Sequence, residues 1–280
     1  MNIWKKLPVV IRRRVRQREG FAQSGTAKWA SGYDLAGHRP LEVGDSPRSV
    51  SRRHFAKYGE WLVTEKFPDR RASVLFLVDI SASGGLGNAG PKRVTALQAL
   101  EGLGTACLSR GHILRAVAFT DRIERVTSVI GSAQVWDDEV AGLRALEPAG
   151  QLTDPVSALE FAWELSAQGT QGVDLVCVIS DFLFPEDERS RLADLAGRAD
   201  VIAVVVSDPM EAQAAPIAGT FVLRDVESGT TVFAAGVDAG DPSGYLDDLG
   251  IDRCRLTTTQ DEFGLYDSLR DFFTERSESR

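Results

Sequence analysis

The pattern of hydrophobic and polar positions changes near residue 72. Before this point Gly, Pro and Ser interrupt short apolar pieces, which predicts loops, one hairpin within residues 25–48, and a short helix leading into a strand within residues 50–67. After it, four runs are apolar almost throughout, as expected of parallel strands covered on both faces. The four predicted strands are "SVLFLVD", "ILRAVAFT", "DLVCVISD" and "VIAVVVSD".

Amphipathic stretches separate these strands and predict helices. Pro91, Pro155 and Pro185 lie near the helix starts, where the missing N–H costs least. Strands that alternate with helices predict an α/β fold with a doubly wound, mostly parallel sheet over residues 72–280. Residues 1–71 then form an irregular, basic N-terminal extension. The remaining predicted elements are a hairpin around Ser228 and Gly229 and closing helices at residues 245–250 and 261–278.

The net charge of -8 hides an asymmetry between the two halves. Residues 1–71 contain 16 Lys and Arg against 7 Asp and Glu, whereas the remainder contains 16 against 33. A basic arm before an acidic body indicates an acidic partner, the protein's own acidic half, an anionic surface or nucleic acid. The arm has no recognisable nucleic-acid-binding motif, so we predict no nucleic-acid partner.

Three features predict the cellular compartment. No segment approaches the roughly 20 uncharged apolar residues of a membrane-spanning helix. The basic start of the chain lacks the apolar region and the cleavage site of a secretory signal. Cys107, Cys177 and Cys254 are far apart and form no CxxC pair, which indicates buried free thiols. We therefore expect a cytoplasmic protein, with peripheral attachment to the inner face of the membrane left open.

Polar residues follow three of the predicted strands and loops. Asp79, Ser81 and Ser83 form a D-x-S-x-S motif, Thr153 precedes a helix, and Asp181 ends a strand. Ligands of open α/β sheets bind beyond the carboxyl ends of the strands, where these residues are predicted to meet. Carboxylate and hydroxyl oxygens suit Mg²⁺ or Mn²⁺, which keep several water ligands.

The spacing of the motif has a physical reason. Alternate residues of a tight turn can point the same way, so Ser81 and Ser83 can converge on one ion. Asp79 and Asp181 would then act mostly through water. An ion held by neutral hydroxyls and distant carboxylates stays electrophilic and can accept a partner's carboxylate as its last ligand.

This arrangement resembles the metal-ion-dependent adhesion site of von Willebrand factor A domains. That family has D-x-S-x-S after its first strand, a Thr in a second loop and an Asp after a later strand. Asp79, Ser81, Ser83, Thr153 and Asp181 match all five positions in that order. The resemblance implies metal binding by these five residues.

A second resemblance extends from about residue 20 to the end of the chain. Upstream of the first long strand, Arg39, Gly44, Asp45 and Arg48 are similar to a segment of the A-domain proteins called domain of unknown function fifty-eight. The stretch "DPMEAQAAPIAGTFVLRDVESG" also looks like that family. The resemblance implies a non-enzymatic adaptor or co-chaperone of a MoxR-type AAA+ ATPase, contacting the ATPase, its client or both. The oligomeric state stays open.

Other chemistries fit less well. A Mg²⁺-dependent hydrolase of phosphoryl or acyl groups is the main alternative, but no histidine is predicted near the loops. Gly85, Gly87 and Gly90 match G-x-G-x-x-G, yet they follow the strand too late for a dinucleotide site and more readily form a flexible rim beside the metal. The sequence also contains no ATP-binding P-loop motif.

Overall fold

A computed structural model shows two compact units. Met1–Arg14 and Ala72–Arg280 form the larger unit, and Val15–Arg71 form the smaller one. The sequence assigned residues 1–71 to one extension, whereas the first 14 residues belong to the larger α/β unit. The structure describes residues 2–12, 35–41, 50–66, 71–81, 92–147, 153–167, 172–209, 220–224, 231–235 and 243–278.

The smaller unit contains a two-stranded antiparallel sheet and one helix. Strand β1 (Leu35–Pro40) pairs with β2 (Leu62–Lys66), and helix α1 (Arg52–Tyr58) lies between them in the chain. The Ser51 hydroxyl accepts a backbone N–H of the first helical turn at 3.3 Å, and Gly59 ends the helix with a φ of 74°. The predicted short helix leading into a strand is therefore confirmed.

The larger unit is built on a six-stranded sheet, and a separate antiparallel hairpin follows it in the chain. The strands are β3 (Ser73–Asp79), β4 (Ile113–Phe119), β5 (Ile123–Val126), β6 (Leu175–Ser180), β7 (Asp200–Ser207), the hairpin pair β8 (Thr220–Arg224) and β9 (Thr231–Ala235), and β10 (Asp252–Thr257). The sheet order is β10-β7-β6-β3-β4-β5, and every pairing is parallel except that of the edge strand β5. The predicted mostly parallel sheet is confirmed.

The order of the strands places a topological switch point between β3 and β6. The six strands can be numbered by their order in the chain and read across the sheet from β5 to β10. They then lie in the order third, second, first, fourth, fifth, sixth. The direction of winding therefore reverses between the first strand, β3, and the fourth, β6. Open α/β sheets bind ligands beyond the carboxyl ends of the strands at this switch point.

Helices cover both faces of the sheet. They are α2 (Lys92–Ser109), α3 (Ala133–Ala145), α4 (Val156–Ala167), α5 (Glu186–Ala196), α6 (Tyr245–Asp248) and α7 (Glu262–Glu278). Val74, Phe76 and Val78 of β3 share a core with α2, α3 and α7, whereas Leu75 and Leu77 share one with α4, α5 and α6. In the described part of the chain no helix is long and apolar enough to cross a membrane.

The start of the chain packs on the face that carries α2 and α7. A short 3-10 helix (Ile3–Lys6) buries Trp4, whose indole N–H donates to Glu262 Oε1 at 2.9 Å. The ring of Trp4 meets Tyr266 edge to face with centroids 5.8 Å apart, and Leu7 is fully buried. This segment therefore completes one of the two hydrophobic cores.

A cluster of charges with a buried Arg276–Asp200 pair lies at the amino end of the sheet. Arg276 of α7 forms ion pairs with Asp200 and Asp252, the first residues of β7 and β10. The Arg12 backbone N–H donates to Asp200 at 2.6 Å, and its guanidinium donates to Asp252 at 2.8 Å. The cluster joins the N-terminal segment, two strands and the last helix.

Two helical glycines provide a matched test of packing. A Cβ added at Gly104 of α2 would lie 2.2 Å from the buried ring of Trp136, whereas one at Gly142 of α3 would first meet the far end of the Arg125 side chain at 3.0 Å. We expect Gly104→Ala to lower the free energy of unfolding by about 1 to 3 kcal/mol. Gly142→Ala should leave it unchanged or raise it by up to about 1 kcal/mol. Urea denaturation of both variants measures the difference, and equal effects would contradict the close packing.

Candidate metal centre

Four of the five predicted metal-binding residues lie at the carboxyl end of the sheet. Asp79 ends β3 and Asp181 directly follows β6, so the two carboxylates flank the switch point. Ser81 follows two residues after Asp79 and is buried, and Thr153 lies in the loop before α4. Ser83 lies outside the described residues, and its role stays a prediction.

Asp79 is held in one orientation by hydrogen bonds to both carboxylate oxygens. The Ser81 backbone N–H donates to Oδ1 at 2.9 Å, and the Ser180 hydroxyl donates to Oδ2 at 2.8 Å. Ser180 Oγ in turn accepts the Phe182 backbone N–H at 3.2 Å. Because Asp79 is only 8% exposed, this network positions the carboxylate in a poorly solvated environment.

A hydroxyl pair connects the first loop to the second. Thr153 Oγ1 donates to Ser81 Oγ at 2.8 Å. Asp154, the residue after Thr153, is fixed by two hydrogen bonds, because its N–H donates to the Thr120 carbonyl at 3.0 Å and its Oδ1 accepts the Val156 N–H at 2.8 Å. The two hydroxyls that the sequence assigned to one site are therefore in direct contact.

Asp181 forms an ion pair with Lys92, the first residue of α2. Its Oδ2 lies 3.1 Å from Nζ of Lys92, and its Oδ1 accepts the Leu183 N–H at 3.2 Å. Phe182, which lies between Asp181 and Leu183 in the chain, has a φ of 58°, a left-handed conformation that is uncommon for an aromatic residue. The buried ring of Phe182 packs on Phe184 with centroids 5.3 Å apart, which holds this turn in place.

The site carries an excess of negative charge that burial makes costly. Burial, and to a smaller extent the charge of Asp181, raise the pKa of Asp79 from 3.8 to about 6, although the hydrogen bonds from Ser81 and Ser180 act to lower it. The two carboxylates are thus close enough to repel each other. A cation placed at this edge of the sheet would stabilise both of them.

Two further helices bring polar groups to the same edge. On α5, burial raises the pKa of Glu188, and the charges of Asp154 and Asp187 add to this effect. On α6, burial raises the pKa of Tyr245 to about 12, with contributions from Asp181 and Glu188. Tyr245 is therefore within electrostatic range of both Asp181 and Glu188.

The residues at the switch point fit a hard divalent cation. Within the described ranges no group of three or more His, Cys, Asp and Glu side chains could hold a metal ion. The candidate site has a different composition, with the carboxylates of Asp79 and Asp181 and the hydroxyls of Ser81 and Thr153. Four oxygen donors of this kind, with water completing the shell, suit Mg²⁺ or Mn²⁺. Metal binding itself stays a prediction.

Sequence reasoning missed three side chains of the site. Ser180 immediately precedes Asp181, so its position at a strand end was visible. Lys92 is the first residue of α2, and side chains of helices lean toward the helix N-terminus, which here is the loop of Ser81. Glu188 lies in the first turn of the helix after β6. The glycine rim, residues 85–90, lies outside the described residues.

Comparison with known proteins assigns a family. Residues 37–239 match the family described as "Protein of unknown function DUF58". Among solved structures, the conserved hypothetical protein BatB from Bacteroides thetaiotaomicron is 15% identical over 74% of this chain and 99% of that chain, with a TM-score of 0.48. A von Willebrand factor type A protein from Catenulispora acidiphila is 12% identical over 76% of this chain and 43% of that chain, with a TM-score of 0.46. A comparison with curated proteins found no match.

The family match begins within β1 and includes β2, the sheet as far as β7 and the hairpin β8–β9. It therefore covers part of each compact unit and includes the residues Asp79, Ser81, Thr153 and Asp181. Because this match extends over well more than half of the sequence, the chain belongs to the DUF58 family.

Proposed function

We propose that this protein is a metal-dependent protein-interaction module. In this proposal Mg²⁺ or Mn²⁺, held by Asp79, Ser81, Ser83, Thr153 and Asp181, binds a carboxylate of a partner protein. The observation that carries the proposal is the 2.8 Å contact between the hydroxyls of Ser81 and Thr153, which joins two loops beside a buried carboxylate at the switch point. A bound ion would supply the electrophile that receives the partner's carboxylate.

The residues around the ion have separate tasks in this proposal. Ser81 and Thr153 offer neutral oxygens, which leave most of the ion's positive charge available to a partner. Asp79 contributes negative charge from a fixed position, because Ser81 and Ser180 hold its two oxygens. Asp181 contributes the second negative charge from the neighbouring strand.

The positions of the histidines favour binding over the alternative of a Mg²⁺-dependent hydrolase. His38 and His54 belong to the smaller unit. His112 Nδ1 accepts the Ala72 backbone N–H at 3.3 Å, at the amino end of the sheet and away from Asp79. Among the described residues of the larger unit, no imidazole therefore lies at the carboxyl edge to serve as a general base.

The resemblance described above supports a MoxR-type AAA+ ATPase as the partner, with this chain as its adaptor or co-chaperone. The excess of basic residues before residue 72 offers a second surface for an acidic partner. The cytoplasm is the compartment that this proposal requires. Cys107, Cys177 and Cys254 are buried free thiols, which suits a reducing compartment.

Thr153→Val tests the function because it removes one hydroxyl and keeps the shape of the side chain. We expect the affinity for Mn²⁺ to fall about tenfold, because the loss of one ligand should cost about 1.4 kcal/mol of binding free energy. Capture of a purified MoxR-type AAA+ ATPase on the immobilised protein should fall in parallel, and EDTA should abolish it. Electron paramagnetic resonance measures free Mn²⁺ during the titration.

Thr259→Val is the matched control for this substitution. Thr259 also forms a threonine hydroxyl pair, with Thr257 at 3.1 Å, but beside the edge strand β10. Its removal should leave Mn²⁺ binding and capture unchanged. Capture that is indifferent to both EDTA and Thr153→Val would exclude the metal-bridged contact, and turnover of a generic phosphoester that requires Mg²⁺ would favour the hydrolase instead.

A further inference from the structure

A buried ammonium contacts one carboxylate of the candidate metal site. Lys92 Nζ lies 3.1 Å from Asp181 Oδ2, and the side chains of both residues are only 7% exposed. Lysine is almost never so deeply buried unless its charge is paired, because removal of an ammonium from water is costly. Its position beside Asp181 therefore indicates a specific electrostatic role.

That role is explained by the two carboxylates at the switch point. Asp79 and Asp181 repel each other in a poorly solvated environment, and the charge of Lys92 offsets part of this negative charge. Both oxygens of Asp181 already have partners, because Oδ1 accepts the Leu183 N–H while Oδ2 contacts Lys92. A divalent cation close to Asp181 would be repelled by the ammonium at the same carboxylate.

We propose that Lys92 is the resident counter-ion of this site, and that Mg²⁺ or Mn²⁺ binds by displacing its ammonium from Asp181. The inference rests on the proposed metal-dependent function and adds its regulation. The ion pair stabilises the site when no metal is bound and lowers its affinity for metal. The long, unbranched stem of lysine allows the ammonium to swing away without movement of the helix backbone.

Lys92→Met removes the charge and keeps most of the apolar stem. We expect the variant to bind Mn²⁺ at least about tenfold more tightly than the wild type, because the ion no longer competes with an ammonium. In EDTA its melting temperature should fall below that of the wild type, since Asp181 is left without its counter-ion. Saturating Mg²⁺ should raise the melting temperature of the variant more than that of the wild type.

Arg93→Met is the matched control. Arg93 is the next residue of α2 and carries the same charge, but its guanidinium donates to the carbonyls of Leu143 and Leu146. This variant controls for the general effect of losing one positive charge, and its Mn²⁺ affinity should stay within about twofold of that of the wild type.

A double variant tests the role of the carboxylate. Lys92→Met/Asp181→Asn should have a higher melting temperature in EDTA than Lys92→Met, because the unpaired carboxylate is gone. If Lys92→Met fails to fold, Lys92→Gln replaces it in every comparison.

The possible results separate this inference from the proposed function. Tighter Mn²⁺ binding by Lys92→Met supports the displacement, including the case in which the wild type binds no measurable Mn²⁺. Equal affinities of Lys92→Met, Arg93→Met and wild type overturn the displacement and leave the metal site intact. Absence of Mn²⁺ binding in all three proteins overturns the metal site and the displacement together.

Discussion

Arg276→Met is expected to lower the free energy of unfolding by about 3 to 5 kcal/mol, the usual cost of breaking a buried ion pair by removing one partner. The Arg276 side chain is 1% exposed and pairs with Asp200, whose side chain is 8% exposed, and with Asp252. Methionine fills similar space but leaves the Asp200 carboxylate without its guanidinium. Urea denaturation of the full chain measures the loss.

Arg270→Met is the control on the same helix. Arg270 pairs with Asp267 at 2.7 Å and Asp271 at 2.9 Å, but these side chains are exposed, so the substitution should cost less than about 1 kcal/mol. Arg276→Met/Asp200→Asn should recover part of the stability lost in Arg276→Met, since the buried charge is gone. Equal losses for Arg276→Met and Arg270→Met would contradict the cluster.

Asp79→Asn should stabilise the metal-free protein at neutral pH while removing metal binding. Because the pKa of Asp79 is raised from 3.8 to about 6, its ionised form destabilises the fold, and we expect a gain of about 1 to 3 kcal/mol in EDTA. The asparagine oxygen can accept the Ser81 N–H, and the Ser180 hydroxyl can turn to accept from the amide. We expect Mn²⁺ affinity to fall at least about 100-fold, the effect of roughly 3 kcal/mol.

The dependence on pH gives the sign of this effect. Between the ordinary pKa of 3.8 and the folded-state value of about 6, the folded protein binds the Asp79 proton more tightly than the unfolded chain does. The protonated Asp79 therefore makes its full contribution to the free energy of unfolding of the wild type below about pH 4. This contribution is lost as the pH rises through about 6 and does not return above it. The advantage of Asp79→Asn should grow over the same interval.

Thermal unfolding in EDTA at several pH values measures this profile. Asp137→Asn provides the control, because Asp137 is exposed on α3 and its substitution should change stability by less than about 0.5 kcal/mol. Saturating Mg²⁺ should reverse the order, stabilising the wild type and leaving Asp79→Asn unchanged. An Asp79→Asn protein that melts below the wild type in EDTA at pH 7 would contradict the electrostatic cost.

The strands in the middle of the sheet were predictable because burial on both faces requires continuous apolar runs. The edge strands β5 and β10 were missed for the same reason. Their sequences, "IERV" and "DRCRLT", include charged residues that an edge position tolerates. Helix α3 was also missed, although Trp136, Val140 and Leu143 repeat at helical spacing and are all buried.

The candidate site was predictable in part. A carboxylate at the end of β3 and another after β6 must face the same edge, because parallel strands end together there. The contact of Lys92 with Asp181 could not be predicted, because the two residues are 89 positions apart in the chain and the long side chain of lysine can reach several places. The same holds for Ser180, whose hydroxyl could have faced either side of the strand end.

Hydrophobic periodicity and chain order are local properties, and from them the sequence predicts the α/β class, the helix–strand alternation and the order of the loops that carry Asp79, Thr153 and Asp181. The folded chain was needed to show which strands flank the switch point, that the N-terminal segment joins the core, and that Lys92 and Arg276 are buried against carboxylates. Those outcomes depend on contacts between distant parts of the chain, where packing selects one partner for each buried charge.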